Sequence, residues 1–358
     1  MTLARIARTL DLSITTVSRA LGGYDEVAAV TRARVAAEAA RIGYRPNEAA
    51  RRLRTGRSGA IGLVLPTSPG QFGDPFFLRM MAALGPRLAQ AGLDLLVTAA
   101  RPGAEELAAY RHLVDARRVD GMVVCRTHRR DERIALLQER ELPFVAHGRT
   151  ETDRPYAHVD IDGKSAFAAA TRRLIELGHR RIALVNASET YMFAVHREAG
   201  WRVAMREYGL ATELRHHGEP TEENGFRLAA ALLGAAAPPT ALLCATDRLA
   251  VGAIHAATAA GLRVGRDVAV IGYDDQPLAS YTDPPLTTFH QPIEHAAVRM
   301  ADMLVALLGG AAPDGMAEIW PATLVIRASD GPATTNTANN RGPGKLQGEI
   351  HVPEGHRP

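Results

Sequence analysis

The sequence predicts an all-α helix-turn-helix head joined to an α/β two-lobed body. Three observations predict it: short amphipathic helical segments in the first 57 residues, a change of charge after them, and a strand–helix rhythm from residue 61 onward. At 358 residues the chain is too long for one ordinary domain and fits a small domain followed by a large domain of two lobes.

In the head, Leu3, Ile6, Ala7 and Leu10 take the i, i+3, i+4, i+7 spacing of an amphipathic helix, which Asp11-Leu12-Ser13 ends. Ser13 can cap a second helix running through Ile14, Val17 and Leu21 to Gly22-Gly23. Thr31 is expected to cap a third helix, Arg32 to Ile42, with Val35, Ala39 and Ile42 inward. Two short helices joined by a tight turn and braced by a third make a helix-turn-helix. The second helix buries Val17, Ala20 and Leu21 and presents Ile14, Thr15, Thr16, Ser18 and Arg19. Short hydroxyls reach base edges or phosphates, and arginine binds guanine bidentately. Residues 1–57 hold eleven arginines against five acids, while the whole chain is only +3, so the body is slightly acidic. A basic head on an acidic body is an electrostatic footprint for nucleic acid.

Other classes are disfavoured. No apolar run reaches the roughly 18 residues of a membrane span, and MTLARIARTLDLS lacks the apolar core and cleavage site of a signal peptide. A cytoplasmic location with no membrane partner is therefore expected. Cys125 and Cys244 lie in apolar runs without a second cysteine or histidine at zinc spacing, so buried free thiols are expected, with no metal and no cofactor.

In the body, IGLVLP (61–66), LDLLVTA (93–99), GMVVC (121–125) and FVAHG (144–148) form one set of strands. HVDID (158–162), RIALVN (181–186), ALLCAT (241–246) and VAVIGYD (268–274) form a second. Two sets separated by helical stretches imply two parallel sheets, hence two lobes. Open α/β sheets bind ligands at the carboxyl ends of their strands. That rule selects Ser68, Arg126, His147, Arg149, Asp160, Asp162, Asp247 and Asp274. Arginine, aspartate and histidine near aromatic rings suit a polyhydroxylated ligand, which needs planar faces and charged hydrogen-bonding groups.

The strings TTVSRAL, TRARV and GYRPNEAARRLRTGRS, in this order and spacing, resemble the start of the LacI/GalR family of bacterial repressors. The resemblance implies that Ile14 and Thr15 read bases with Arg19, while Thr16, Ser18 and Thr31 contact phosphate. It adds Thr2, Ser13, Asn47, Ala50, Leu53 and Arg54 to the DNA-facing set. NEAARRLRTG then looks like the family's hinge helix, which forms on DNA, and Leu53 matches the leucine that wedges into the central base step. The body resembles the family's periplasmic-binding-protein-like effector domain through DPFF (74–77), LGHRRIALVN (177–186), HREAGWRVAM (196–205), ATDRLAVGAIHAATAAGLRVGRDVAVIGYDD (245–275) and PPLTTFHQP (284–292). Carried over by position, Phe76 and Phe77 line the effector cleft from the first lobe. Tyr191, Phe193 and Arg197 line it from the second, with Arg197 and Asp274 approaching ligand hydroxyls from opposite sides; an ion pair bridging the lobes is the structural alternative. Departures from the family pattern are Thr246 and Asp74, each in place of asparagine, and the polar GEPTEENG (218–225). PTSPGQFGDPFF (66–77) and HGR (147–149) look most like regulators of α-glucoside operons.

The resemblance thus implies a helix-turn-helix domain over 1–46, a hinge over 47–57 and an effector domain over 58–329. Within the last, lobe 1 takes 60–157 and 290–320, lobe 2 takes 158–289 and 321–329, and 330–358 is expected to be a disordered tail. It implies a sugar-responsive repressor that binds pseudo-palindromic operator DNA as a homodimer. A periplasmic sugar carrier is the rival reading and would need an export signal and no head. A sugar-active enzyme would need a paired-carboxylate, GxSxG, HExxH or P-loop motif, and none is present.

Overall fold

The computed structural model describes residues 3–22, 24–44, 56–67 and 74–333. Thr2, Asn47, Ala50, Leu53, Arg54 and Ser68, and with them most of the expected hinge and tail, lie outside the described residues.

The head is three helices, α1 (Leu3–Leu10), α2 (Ile14–Leu21) and α3 (Ala29–Arg41), closed over Ile6, Ala7, Val17, Ala20, Val27, Val35, Ala39 and Ile42. Asp11 turns the chain between α1 and α2 at φ 52°, and the Leu12 amide donates back to the Ala7 carbonyl at 2.9 Å. The third helix corrects the sequence reading. It begins at Ala29, its N-cap Ala28 makes no side-chain bond, and Thr31 sits inside the first turn rather than capping it. Its entry is fixed from the side: the Arg32 guanidinium donates to the Tyr24 and Val27 carbonyls at 3.0 and 2.9 Å.

The body divides into two compact units. The first contains β1 (Ala60–Pro66), α4 (Pro75–Gln90), β2 (Asp94–Ala100), α5 (Ala104–Asp115), β3 (Gly121–Val124), α6 (Glu132–Glu139), β4 (Phe144–His147) and β5 (Ala157–Ile161). After the chain returns it adds α11 (Ile293–Leu308) and β11 (Ala317–Trp320). The sheet order is β11-β5-β4-β3-β1-β2, with the pairs from β5 to β2 parallel. Alternation along the strands feeds both faces. Ile61, Leu63, Val123, Val145 and Val159 pack on α4 and α11; Val64, Met122, Val124 and Ala146 pack on α5 and α6. HVDID, expected to open the second lobe, is β5 of this first sheet, pairing with β4 from Ala157 to Val159. Periodicity cannot tell which sheet a strand joins; the register of its neighbour decides it.

The second unit contains α7 (Gly163–Glu176), β6 (Ile182–Ala187), α8 (Met192–Glu207), β7 (Arg215–Gly218), α9 (Glu222–Leu233), β8 (Ala241–Cys244), α10 (Asp247–Ala259) and β9 (Ala269–Ile271), then β10 (Thr288–His290) and β12 (Thr323–Val325). Its parallel sheet runs β7-β6-β8-β9, and β10 pairs antiparallel with β12. The edge strand β7 is the half-buried, polar RHHG and has no apolar run to announce it. Residues 330–333, assigned from sequence to the tail, are docked instead. Asp330 is buried, accepting from the Thr287 hydroxyl at 2.7 Å, and the Ala333 amide donates to the Leu177 carbonyl at 2.9 Å. Composition misses this because the two docking partners lie far away in sequence.

Glycines let the helices of this unit meet backbone to backbone. A Cβ on Gly252 of α10 would lie 2.0 Å from the Glu222 carbonyl and 2.5 Å from the Phe226 amide, and one on Gly200 of α8 would lie 2.0 Å from the Lys164 carbonyl. Backbone cannot yield as a flexible side chain can, so Gly252→Ala should destabilise the second unit by about 2 kcal/mol or more. Urea unfolding followed by the fluorescence of fully buried Trp201 checks this.

Candidate functional site

The head presents its polar face on α2. Ser13 is the N-cap, its Oγ accepting from the Thr16 amide at 2.9 Å, and the two hydroxyls lie 2.8 Å apart. Val17 and Ala20 are buried, which forces Ile14, Thr15 and Arg19 outward; Thr16 and Ser18 are half-buried at the edges of that face. Ile14 is 53% exposed, an apolar surface beside hydroxyls and a guanidinium, the combination that meets thymine methyls and guanine edges in a major groove. Arg19 lies 3.1 Å from Glu26, with both side chains more than half exposed. Solvent screens such a pair, so it orients the guanidinium without locking it away. Thr31 is half-buried in the first turn of α3.

In the first body unit the predicted residues gather at the carboxyl ends of the strands. Asp74 caps α4, accepting from the Phe76 amide at 3.0 Å, and its other oxygen pairs with Arg126. The sequence departure to aspartate therefore supplies both a helix cap and a counter-charge. Arg126, at φ 50°, lies after β3 with its guanidinium 5.1 Å from the Phe77 ring centroid. Phe77 is buried; half-buried Phe76 meets the His147 ring edge-on at 5.1 Å. Arg149 after β4 reaches Asp160 on β5 at 2.6 Å. Asp162 is taken up as the cap of α7, accepting from the Ser165 amide at 3.0 Å. One strand-end edge thus holds two guanidinium–carboxylate pairs and a half-buried ring.

In the second unit Arg197, from the second turn of α8, is 6% exposed and lies among rings. Its guanidinium carbon is 3.8 Å from the centroid of Tyr273, 4.6 Å from that of Phe193 and 5.9 Å from that of Phe167. One Nη donates to the Ala245 carbonyl, and the buried Nε has no acceptor among the described residues. Tyr191 stacks on Phe193 at 5.4 Å and its hydroxyl donates to Glu219 at 3.4 Å, so Glu219 of the polar 218–225 stretch holds a ring of this set. Asp274, after β9, is half-buried at φ 127°, a backbone angle that costs a non-glycine residue about 1–3 kcal/mol. It accepts from the Gln291 amide at 2.6 Å while its own amide donates to the Phe289 carbonyl at 3.0 Å. Arg197 and Asp274 belong to the same unit, so an ion pair bridging the lobes does not describe them.

Asp247 departs furthest from its expected role. It is 1% exposed, and its carboxylate accepts from the Gln276 amide at 2.7 Å and the Thr288 hydroxyl at 2.5 Å. It ties the start of α10 to the loop after β9 and to β10, closed off from solvent. Thr246, the other departure from the family pattern, caps α10 through the Leu249 amide at 3.2 Å. Sequence reasoning passed over Tyr273, Gln291 and Glu219. Tyr273 lies inside VAVIGYD, one residue before Asp274, and Gln291 lies inside PPLTTFHQP. Among the described residues one group could supply three metal-ligand atoms, Glu189, Glu198 and His217. Glu198 already faces Arg202 and Arg215, so its charge is met by guanidinium. No helix among the described residues is long and apolar enough to cross a membrane.

Residues 2–47 match the bacterial regulatory proteins, lacI family, and residues 171–329 match the periplasmic binding protein-like domain. The chain is 40% identical over 337 residues to the HTH-type transcriptional regulator AglR of Rhizobium meliloti (strain 1021), covering 92% of this chain and 94% of that one. Among solved structures, a transcriptional regulator CelR–cellobiose complex matches with a TM-score of 0.72 at 30% identity, covering 92% of this chain and 99% of that one. A lac repressor dimer bound to operator and the anti-inducer ONPF matches with a TM-score of 0.80 at 28% identity over the same shares.

Burial raises the Asp247 carboxyl from 3.8 to about 6, the bonds from Thr288 and Gln276 only partly opposing it. Because the folded value lies above the unfolded one, the associated stability is complete below about pH 3.8 and is lost as pH rises through about 6. Asp247→Asn has no such titration. The stability of the parent relative to this variant should therefore rise as pH falls from 7 to 5, read by thermal unfolding across that range.

Proposed function

The chain belongs to the lacI family of bacterial regulatory proteins, and from that premise we propose that it is a sugar-responsive repressor that binds a pseudo-palindromic operator as a homodimer. One observation carries the DNA half: a Ser13-capped α2 that buries Val17 and Ala20 and leaves Ile14, Thr15 and Arg19 outward. Two such helices in successive major grooves read a two-fold related site. Thr16, Ser18 and Thr31 take phosphate contacts on this reading, and residues 47–57 act as the hinge with Leu53 as the wedge.

For the effector, each unit offers its own strand-end residues: Phe76, Phe77, Arg126, His147, Arg149 and Asp160 in the first, Tyr191, Phe193, Arg197 and Asp274 in the second. Rings supply faces for a pyranose, and carboxylates and guanidiniums supply bidentate bonds to vicinal hydroxyls. The buried Arg197 Nε without an acceptor and the strained Asp274 support a role beyond packing. We assign the effector to the α-glucosides, in keeping with the HGR and DPFF strings and the kinship with AglR. Sugar binding and operator binding are coupled through residues 47–57. The protein works in the cytoplasm, where both operator and imported sugar are present.

Mobility-shift assays on genomic fragments captured by the protein, with maltose, trehalose or sucrose added, test the reading. At least one α-glucoside should release the DNA. Arg197→Lys keeps the charge but loses the planar stacking group. It should weaken the sugar response at least tenfold, about 1.4 kcal/mol, while leaving operator affinity unchanged. Leu53→Ala should do the reverse, lowering operator affinity and sparing sugar affinity. Equal operator affinity in that variant would remove the hinge from the proposal.

A further inference from the structure

The strands of the first body unit have a second set of ends. At their amino-terminal edge Gly56, Arg57, Ser58, Ala60, Asp94, Leu95, Leu96, Arg117 and Arg118 line a groove of about 570 Å³. Three guanidiniums and one carboxylate make it cationic. Arg117 and Arg118 leave the end of α5 in a tight turn, the Arg117 amide donating to Val114 at 3.0 Å and the Arg118 amide to Leu113 at 2.9 Å, with Arg117 at φ 50°. Asp94 is the groove's own carboxylate, and two further nearby acids are engaged elsewhere. Asp115 faces Arg140 at 3.2 Å, and Asp120 accepts from the Ser58 and Gly59 amides at 2.6 and 2.7 Å. Arg117 and Arg118 are exposed and make no ion pair among the described residues. Two adjacent exposed cations beside a single carboxylate, on a body that is acidic overall, leave the groove with net positive charge that suits an anion.

Covalent connection says which anion is near. From Tyr44, the last described residue of the head, to Gly56 in the groove is twelve residues, at most about 40 Å of extended chain. Whenever α2 lies in a major groove, this cationic edge is tethered close to a polymer carrying one negative charge per ~1.7 Å of axis. We infer that Arg117 and Arg118, with Arg57, form a phosphate-contacting surface on the body, adding sequence-independent affinity for the duplex beyond that of the head. This rests on the DNA-binding reading above.

The test is the salt dependence of binding of the full chain to a short labelled duplex of mixed sequence, read by fluorescence anisotropy. The variant is Arg117→Asn with Arg118→Gln; asparagine tolerates the left-handed backbone at 117. Each phosphate contact contributes about 0.9 to the slope of log affinity against log salt. The double variant should therefore lower the slope by about 1.8 or more, and its deficit should shrink about tenfold between about 50 and 200 mM salt. Arg130→Gln with Arg206→Gln, two exposed arginines outside the groove, should leave the slope unchanged. An unchanged slope in the groove variant, with the parent still binding duplex, overturns this inference alone; an equal loss in the control pair overturns it as mere net charge. A parent that binds no duplex overturns the DNA-binding reading with it. If the duplex slope is unchanged and inorganic phosphate raises the melting temperature of the parent but not of the groove variant, the surface belongs to a small anion and the duplex assignment falls.

Discussion

The inner parallel strands are covered on both faces and meet water mainly at their ends, and that constraint organises both body units. Ile61, Leu63, Val123 and Val145 on one face, and Met122, Val124 and Ala146 on the other, leave no face of the inner strands for polar chemistry. What polar chemistry the sequence carries must leave at the strand ends. At the carboxyl ends it becomes Arg126 with Asp74 and Arg149 with Asp160; at the amino ends, Arg57, Arg117 and Arg118. One sheet can thus separate an edge of paired guanidinium and carboxylate groups from a cationic edge by its own length.

The second unit answers to the same constraint with closer packing. Gly200, Gly225 and Gly252 bring helices to backbone contact, and the buried polar groups beneath the strand ends are used for positioning. Asp247 fixes the loop that carries Asp274 through Gln276 and Thr288. Asp275 is held by Arg327 at 2.7 Å and His290 at 3.1 Å. A strained Asp274 is sustained because its neighbours are over-determined. Rigid support under a small set of ring and guanidinium groups is what lets a ligand's binding energy be transmitted instead of being absorbed by local relaxation.

Much of this was legible in the residues. Apolar spacing in the head found all three helices, and the Ser13 cap was readable from its position before Ile14. The strand-end rule placed Arg126, His147, Arg149, Asp160 and Asp274 at the carboxyl ends of strands, where they lie, because connectivity alone sends βα loops to one edge. The same rule included Asp162 and Asp247, which sit at strand ends but turn inward to cap or to anchor. It omitted Tyr273, Gln291 and Glu219, whose roles depend on neighbours distant in sequence.

Sequence by itself determined the element types, the parallel class of the sheets and the basic character of the head, because periodicity, turn residues and charge act over a few positions. Tertiary structure alone decided that β5 joins the first sheet, that α3 starts at Ala29 under the hold of Arg32, and that Asp330 to Ala333 dock on α7 and β10. It also buried Asp247. Each of these is a matter of register, or of a partner many residues away, and local pattern carries no information about either.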